Sequence, residues 1–183
     1  RAELMRAKAE RLPGTVSAKA RHAWKTRKGQ LASIQKPHER PVWVKEATAY
    51  LHDADRNLQL SNWSVQTLLG SRGISTRNET AATLVKKVKD KPIRNVLLLL
   101  SEYASLKGKI VNISRKKTLN YLDETEISRL ARKILAVNSK LRVGCSQLKG
   151  SFTELGKYYY ESYLQNFHIV ASSLKPLIEM KQR

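Results

Sequence analysis

Asp123–Leu135 reads DETEISRLARKIL, and the spacing of this stretch decides the fold class. Ile127, Leu130, Ala131, Ile134 and Leu135 recur at three- and four-residue intervals, which puts them on one helix face and leaves Arg129, Arg132 and Lys133 outside it. Asp123 with Glu126 reads as a helix N-terminus, and the segment is expected to end around Gly144. Downstream, Ser151 and Glu154 read as a capping box. It opens a helix through Leu155, Tyr159, Leu164, Phe167, Val170 and Leu174 to a kink at Pro176. Upstream, Ile93–Leu106 predicts a buried helix closed by Gly108. Its Val96–Leu100 run is compatible with a strand, but the apolar text continuing through Tyr103 and Leu106 favours helix.

Further toward the N-terminus the signals are shorter. Thr76 with Glu79 reads as a capping box that starts a helix from Arg77 to about Lys89. A short helix is expected near Ser64–Gly70, followed by a loop through Gly73-Ile74-Ser75. Pro41 opens another helix to about Asp53, with Val44, Ala47 and Leu51 inward, joined by Trp43 and Tyr50. Residues 2–11 suit a helix ended by Pro13-Gly14. From Thr15 to Ile34 the main bulky apolar residues are Val16, Trp24 and Leu31. A helix there has little to bury, so a partner is expected to order it. No fixed-period repeat is visible. The expected architecture is an irregular all-α bundle: a basic, extended N-terminal arm over residues 1–40 and a helical domain over 41–183.

The 183 residues carry 35 Lys+Arg against 15 Asp+Glu, a formal charge of +20. So large a like charge on a small body is self-repelling and calls for an acidic partner, most commonly nucleic-acid phosphate. The charge is blocked: net +8 over residues 1–40, +3 over 41–105, +8 over 106–150 and +1 over 151–183. A uniformly solvated basic surface accounts for the total but not for the blocks. The candidate contacts are therefore Lys19, Arg21, Lys25, Arg27 and Lys28 in the arm, Lys107, Lys109, Arg115, Lys116 and Lys117 in the run KGKIVNISRKK, and Arg129, Arg132 and Lys133 on the helix that follows. The KGKIVNISRKK run is expected to be an interhelical loop, with Lys140 and Arg142 continuing the surface. Trp24, set among His22, Lys25, Arg27 and Lys28, is the strongest stacking candidate. Tyr158, Tyr159, Tyr160 and Tyr163 fit core or subunit contact better than stacking, and Trp43 and Trp63 are assigned to packing.

Leu60–Lys89, LSNWSVQTLLGSRGISTRNETAATLVKKVK, is the most specific local text. Val65, Leu68 and Leu69, the Arg72-Gly73-Ile74 turn, Thr76, and Leu84, Val85 and Val88 together resemble a SAP motif, a helix–extended loop–helix module that binds nucleic acid. The resemblance covers about a sixth of the chain. It implies that the loop and the start of the second helix face the ligand, which singles out Arg72 and Arg77. Asn78 stands where the motif has glycine, and one extra residue precedes Leu84. Gly70-Ser71-Arg72-Gly73 also matches the GxxG loop of KH domains, but three convincing strands around it are lacking. A structural helix–turn–helix corner with solvated arginines remains the alternative.

Catalysis has little support in the text. His22, His38, His52 and His168 are scattered, and no phosphate-binding loop, dinucleotide fingerprint or nucleophile elbow occurs. Asp53 and Asp55 beside His52 read as a solvated helix end. The single cysteine, Cys145, excludes an intrachain disulfide and a cysteine-based zinc site. No apolar run approaches transmembrane length. The chain is thus expected to be a non-enzymatic, RNA-binding structural component of a ribonucleoprotein, without cofactor, metal or small-molecule substrate. As a whole it is similar to basic ribosomal proteins, which implies rRNA and neighbouring ribosomal proteins as partners. A start at Arg1 rather than Met reads as processing or an internal start. Removal of an organelle presequence makes the mitochondrial matrix the expected location, with another reducing compartment as the alternative. The competing expectations are a SAP-type DNA-binding protein and an accessory subunit of an organellar membrane complex.

Overall fold

The computed structural model describes residues 2–3, 5–6, 38–39 and 42–179, with side chains from Thr48 to Glu179. They contain six α-helices: α1 (Val42–Ser71), α2 (Ala81–Val85), α3 (Lys91–Ser114), α4 (Tyr121–Leu148), α5 (Glu154–Gln165) and α6 (Phe167–Ile178). Four strands of two residues each accompany them. Ala2–Glu3 (β1) pairs in parallel with Met5–Arg6 (β2), and His38–Glu39 (β3) pairs antiparallel with Thr118–Leu119 (β4). The chain is predominantly helical, as its periodicity predicts. Apart from β1 and β2, the stretch 2–34 lies outside the described residues. The helix expected over 2–11 and the partner-ordered arm fall there, as do the side chains of Trp43, Val44 and Ala47. Two compact units are formed, residues 1–40 with 116–126 and residues 41–115 with 127–183.

In the first unit, Leu119 is buried and Asn120 opens α4. The Asn120 amide donates to Asp123 Oδ2 at 3.1 Å, and the Asp123 amide donates back to Asn120 Oδ1 at 2.9 Å. Two orphan amides of the helix start are thereby satisfied reciprocally. The expected cap, Asp123 with Glu126, is therefore corrected: Asp123 is the third residue of the helix and the partner of the true cap.

In the second unit, α1 corrects a larger misreading. The two helices expected at 41–53 and 64–70 are one helix of 30 residues. Leu51, Ala54, Leu58, Val65, Leu68 and Leu69 are buried, and Ser61 and Ser64 fill the gap in that stripe, both fully buried. Ser61 Oγ donates to the Leu58 carbonyl at 2.6 Å and Ser64 Oγ to the Leu60 carbonyl at 3.1 Å. A hydroxyl that returns to its own helix can be buried without an unpaired donor, so polar text here is core text. The small serines also admit α5 closely. Ser64 Oγ lies 2.9 Å from the Gly156 carbonyl, and a Cβ added at Gly156 would come within 2.8 Å of Thr67 Oγ1.

The segment after α1 is more extended than expected. Gly73 (φ 77°) and Asn78 (φ 58°) both take left-handed backbone. Asn78 blocks a helix starting at Arg77, and α2 begins only after Thr80. There the Thr80 side chain accepts from the Thr83 amide at 3.2 Å, and the Thr80 amide donates to Thr83 Oγ1 at 2.9 Å. Glu79, read as the box partner of Thr76, instead binds Lys87 Nζ at 2.5 Å. Asp90 then caps α3 by accepting from the Ile93 amide at 3.2 Å, with Pro92 in the first turn where its missing N–H costs nothing. The α3 helix passes through Gly108 to Ser114, because Leu106, Ile110 and Ser114 continue its buried face. A glycine cost of about 1 kcal/mol is outweighed by that burial. Val96–Leu100 is helical.

Helix α4 likewise runs past Gly144. A Cβ there would come within 2.9 Å of Val96 Cγ2, so this glycine is a contact with α3, not a terminator. The cap of α5 is Thr153, which accepts from the Gly156 amide at 3.0 Å and replaces the expected Ser151–Glu154 box. The single helix expected from Ser151 to a kink at Pro176 is instead broken at Asn166 into two. Asn57 Nδ2 of α1 donates to the carbonyls of Tyr163 (3.3 Å) and Asn166 (3.0 Å), which gives the α5–α6 corner its partners. Pro176 sits in the last turn of α6. One apolar core joins side chains of all six helices within this unit.

Candidate nucleic-acid interface

A basic surface lies on one side of α4. From Ile127 to Thr153 the sequence has no Asp or Glu, while Arg129, Arg132, Lys133, Lys140, Arg142 and Lys149 all fall in that window. Ile127, Leu130, Ala131, Ile134, Val137, Leu141 and Cys145 are buried, so the amphipathic reading of this segment holds, and Arg129, Arg132, Lys133 and Lys140 are exposed. At 3.6 residues per turn, Arg129, Lys133 and Lys140 fall within about 40° of one another and Arg132 about 60° to the side. The stripe is about 16 Å long at 1.5 Å per residue. Arg132 Nη2 also approaches the Ile178 carbonyl, at 3.5 Å, and Arg142 lies over the Phe167 ring with 4.9 Å to its centroid. Burial holds the Tyr163 phenol well above its usual range, and its O–H donates to the Asn138 carbonyl at 3.0 Å and to Asn138 Oδ1 at 2.8 Å. These bonds fix α5 against the inner side of α4.

The corner after α1 is built differently. Arg72 and Arg77 are both exposed, but Arg72 Nη1 lies 3.4 Å from Asp90 Oδ2. Lys87 pairs with Glu79, and that bond together with one to Thr83 holds the Glu79 carboxyl below its usual range. In α3, Lys107 Nζ lies 3.0 Å from Asp55 Oδ1, which also accepts a hydrogen bond from the Tyr103 phenol. Burial first, then the Asp55 carboxylate, keep that phenol protonated far above the ordinary range. Lys107 is thus engaged inside the protein, while Lys109 and Arg115 are exposed. The expected interhelical loop for KGKIVNISRKK is corrected: Lys107 and Lys109 are on helix, and Arg115 is its C-cap. Lys116 and Lys117 belong to the other unit, where Lys116 Nζ lies 2.7 Å from Asp123 Oδ1. Lys19, Arg21, Trp24, Lys25, Arg27 and Lys28 lie outside the described residues.

The aromatic residues also divide. Tyr160 and Tyr163 are buried, as core contact predicts, whereas Tyr158 is 64% exposed. Trp63, assigned to packing, is 44% exposed and stands against Tyr159 with ring centroids 5.4 Å apart. The signal was present: with α1 read as one helix, position 63 falls away from the Leu51–Leu69 stripe. Among the described residues, no group of three or more His, Cys, Asp or Glu is placed to hold a metal ion, and no helix is long and apolar enough to cross a membrane. No family model matches the chain, and no match to it is found among the curated proteins or the solved structures.

Proposed function

We propose that this chain is a non-catalytic RNA-binding component of a ribonucleoprotein, with a ribosome as the proposed assembly and rRNA phosphates as its ligand. The observation that carries the reading is the stretch of 27 residues without a carboxylate, Ile127–Thr153, whose exposed α4 face presents Arg129, Arg132, Lys133 and Lys140. A helix face whose exposed cations outnumber the carboxylates beside them favours phosphate as a ligand. Lys109 and Arg115 of α3 and the blocked charge of the chain support the same ligand class.

The test is RNA binding by the variant Arg129→Gln, Arg132→Gln, Lys133→Gln, Lys140→Gln. The four side chains are exposed, so the melting temperature should barely move. The slope of log affinity against log salt should fall by about 3 to 4 if all four contact phosphate. An unchanged slope and affinity in the folded variant would falsify the assignment.

A second reading, a SAP-type DNA-binding corner, is favoured by one observation. Asn78 stands at the motif's glycine position and holds φ 58°, a backbone conformation for which glycine is ordinarily used. Competition of bound RNA by DNA of the same length separates the two. Preferential displacement by DNA favours the corner.

A further inference from the structure

Helix α1 carries a half-exposed face that neither the core nor the cationic stripe uses. Gln59, Asn62, Trp63 and Gln66 share this side of the helix, set off from the Leu51–Leu69 stripe. Trp63 packs at 5.4 Å and 60° against Tyr159, which packs at 5.8 Å and 58° against Tyr158. Three rings therefore adjoin one another at the surface, while Tyr160 and Tyr163 of the same helix turn into the core. Trp63 and Tyr159 line a hollow with Gln66, Thr67 and Thr76, and Thr76 lies in the same segment as Arg72 and Arg77. On the other side, Gln59, Asn62 and Gln66 face Lys107 and Arg115 of α3 across a groove. Of the nearby carboxylates, Asp55 and Glu79 are each held by a lysine, and Asp53 lines the outer end beside Arg56.

We infer that this face is a stacking shelf for unpaired bases of the bound RNA, with Trp63 and Tyr159 offering ring faces and Gln66, Asn62 and Thr76 offering hydrogen bonds to base edges. The inference rests on the RNA-binding reading and makes it narrower. A base stacked inside a duplex has both faces occupied, so an aromatic shelf selects single-stranded segments, loops or bulges. Amides and hydroxyls supply both donors and acceptors, which suits base edges, and the arginines of the adjoining 72–80 segment stand where a phosphate backbone would pass. An apolar protein partner fits less well, because the hollow shared by Trp63 and Tyr159 is completed by the polar side chains of Gln66, Thr67 and Thr76.

The experiment uses the full chain carrying Trp24→Phe and Trp43→Phe, which leaves Trp63 as the sole tryptophan. An end-labelled single-stranded RNA and a duplex RNA of equal length are titrated, with binding read by polarisation and Trp63 by its fluorescence. Single strand is expected to quench Trp63 along the binding curve, and duplex to bind without quenching. In the otherwise native chain, Trp63→Leu with Tyr159→Leu should weaken single-strand binding roughly tenfold, within the range for lost base–aromatic stacking, and leave duplex binding within about twofold. Single-strand binding with no quenching and no loss in the double variant overturns the shelf but leaves the RNA reading standing. Equal losses for single strand and duplex overturn it too. Absence of binding to either RNA overturns the RNA reading itself. Quenching by proteins of the native assembly, and not by RNA, assigns the face to a protein contact and overturns the shelf.

Discussion

The exposed side of α4 and the corner at residues 72–90 both display lysines and arginines, yet they treat charge in opposite ways. In the corner, Arg72 is opposed by Asp90 and Lys87 by Glu79. On α4, four exposed cations stand in helical register within a stretch that has no carboxylate. A count of basic residues makes the two regions look alike. The density of carboxylates distinguishes them: a cation already holding a carboxylate must exchange one partner for another, whereas cations in excess over the carboxylates around them gain phosphate and release counterions. On the proposed RNA-binding reading, α4 is the main electrostatic contact and the corner the secondary one.

The largest effect tests whether electrostatics dominates at all. If 6–10 phosphates are neutralised, RNA affinity should fall by about 10³–10⁵ between 50 and 200 mM salt. A nearly flat salt titration would break the comparison, since neither region would then be binding through charge.

The next effect sets the two regions against each other. Arg72→Ala with Arg77→Ala should reduce the salt slope by less than 2 and affinity by roughly tenfold or less, well below the loss from neutralising the α4 stripe. Thermal stability should hardly change, since an exposed pair such as Arg72–Asp90 contributes about 0–1 kcal/mol. A corner variant that loses as much binding as the α4 variant would invert the ranking and make the SAP-like module the principal site.

The inner face of α4 supplies a smaller test. Burial pushes the Cys145 thiol up to about 12, from an ordinary value of 9.0. The folded chain therefore keeps this proton where the unfolded chain loses it, and stability should decline as pH rises from about 9 toward 12. Thiol labelling at neutral pH should proceed only as fast as global opening. Rapid labelling of the native protein would show that α4 is not seated on the core, and its stripe would lose its fixed register.

The smallest effect concerns the backbone of the corner. Gly73→Ala forces a side chain into φ 77° and should cost roughly 1 kcal/mol in a denaturant melt, although open space surrounds the added Cβ. Asn78→Gly should be close to neutral, because φ 58° is a conformation that glycine adopts freely. A strongly destabilising Asn78→Gly would mean that the Asn78 side chain, not its backbone, holds the turn.

Local periodicity carried the helical class, the inward face of α4 and the outward placement of Arg129, Arg132 and Lys133. A helix face repeats every three to four residues whatever lies against it. The block of charge over 106–150 was equally visible in the text. What the text misplaced were the helix ends and the polar core. Ser61 and Ser64 looked like a break in α1 until their hydroxyls were found bonded to their own helix and, for Ser64, to Gly156 of α5. Gly108 and Gly144 looked like terminators, but burial beyond them carried both helices on. Trp63 looked like core because its helix had been cut in two. Whether Lys107 and Arg72 stand free depends on Asp55, 52 residues away, and on Asp90, 18 residues away. The sequence alone determined which residues can form helices and how much positive charge they carry. Tertiary structure decided which cations are paired and which rings are exposed, because pairing and burial depend on residues far apart in the chain.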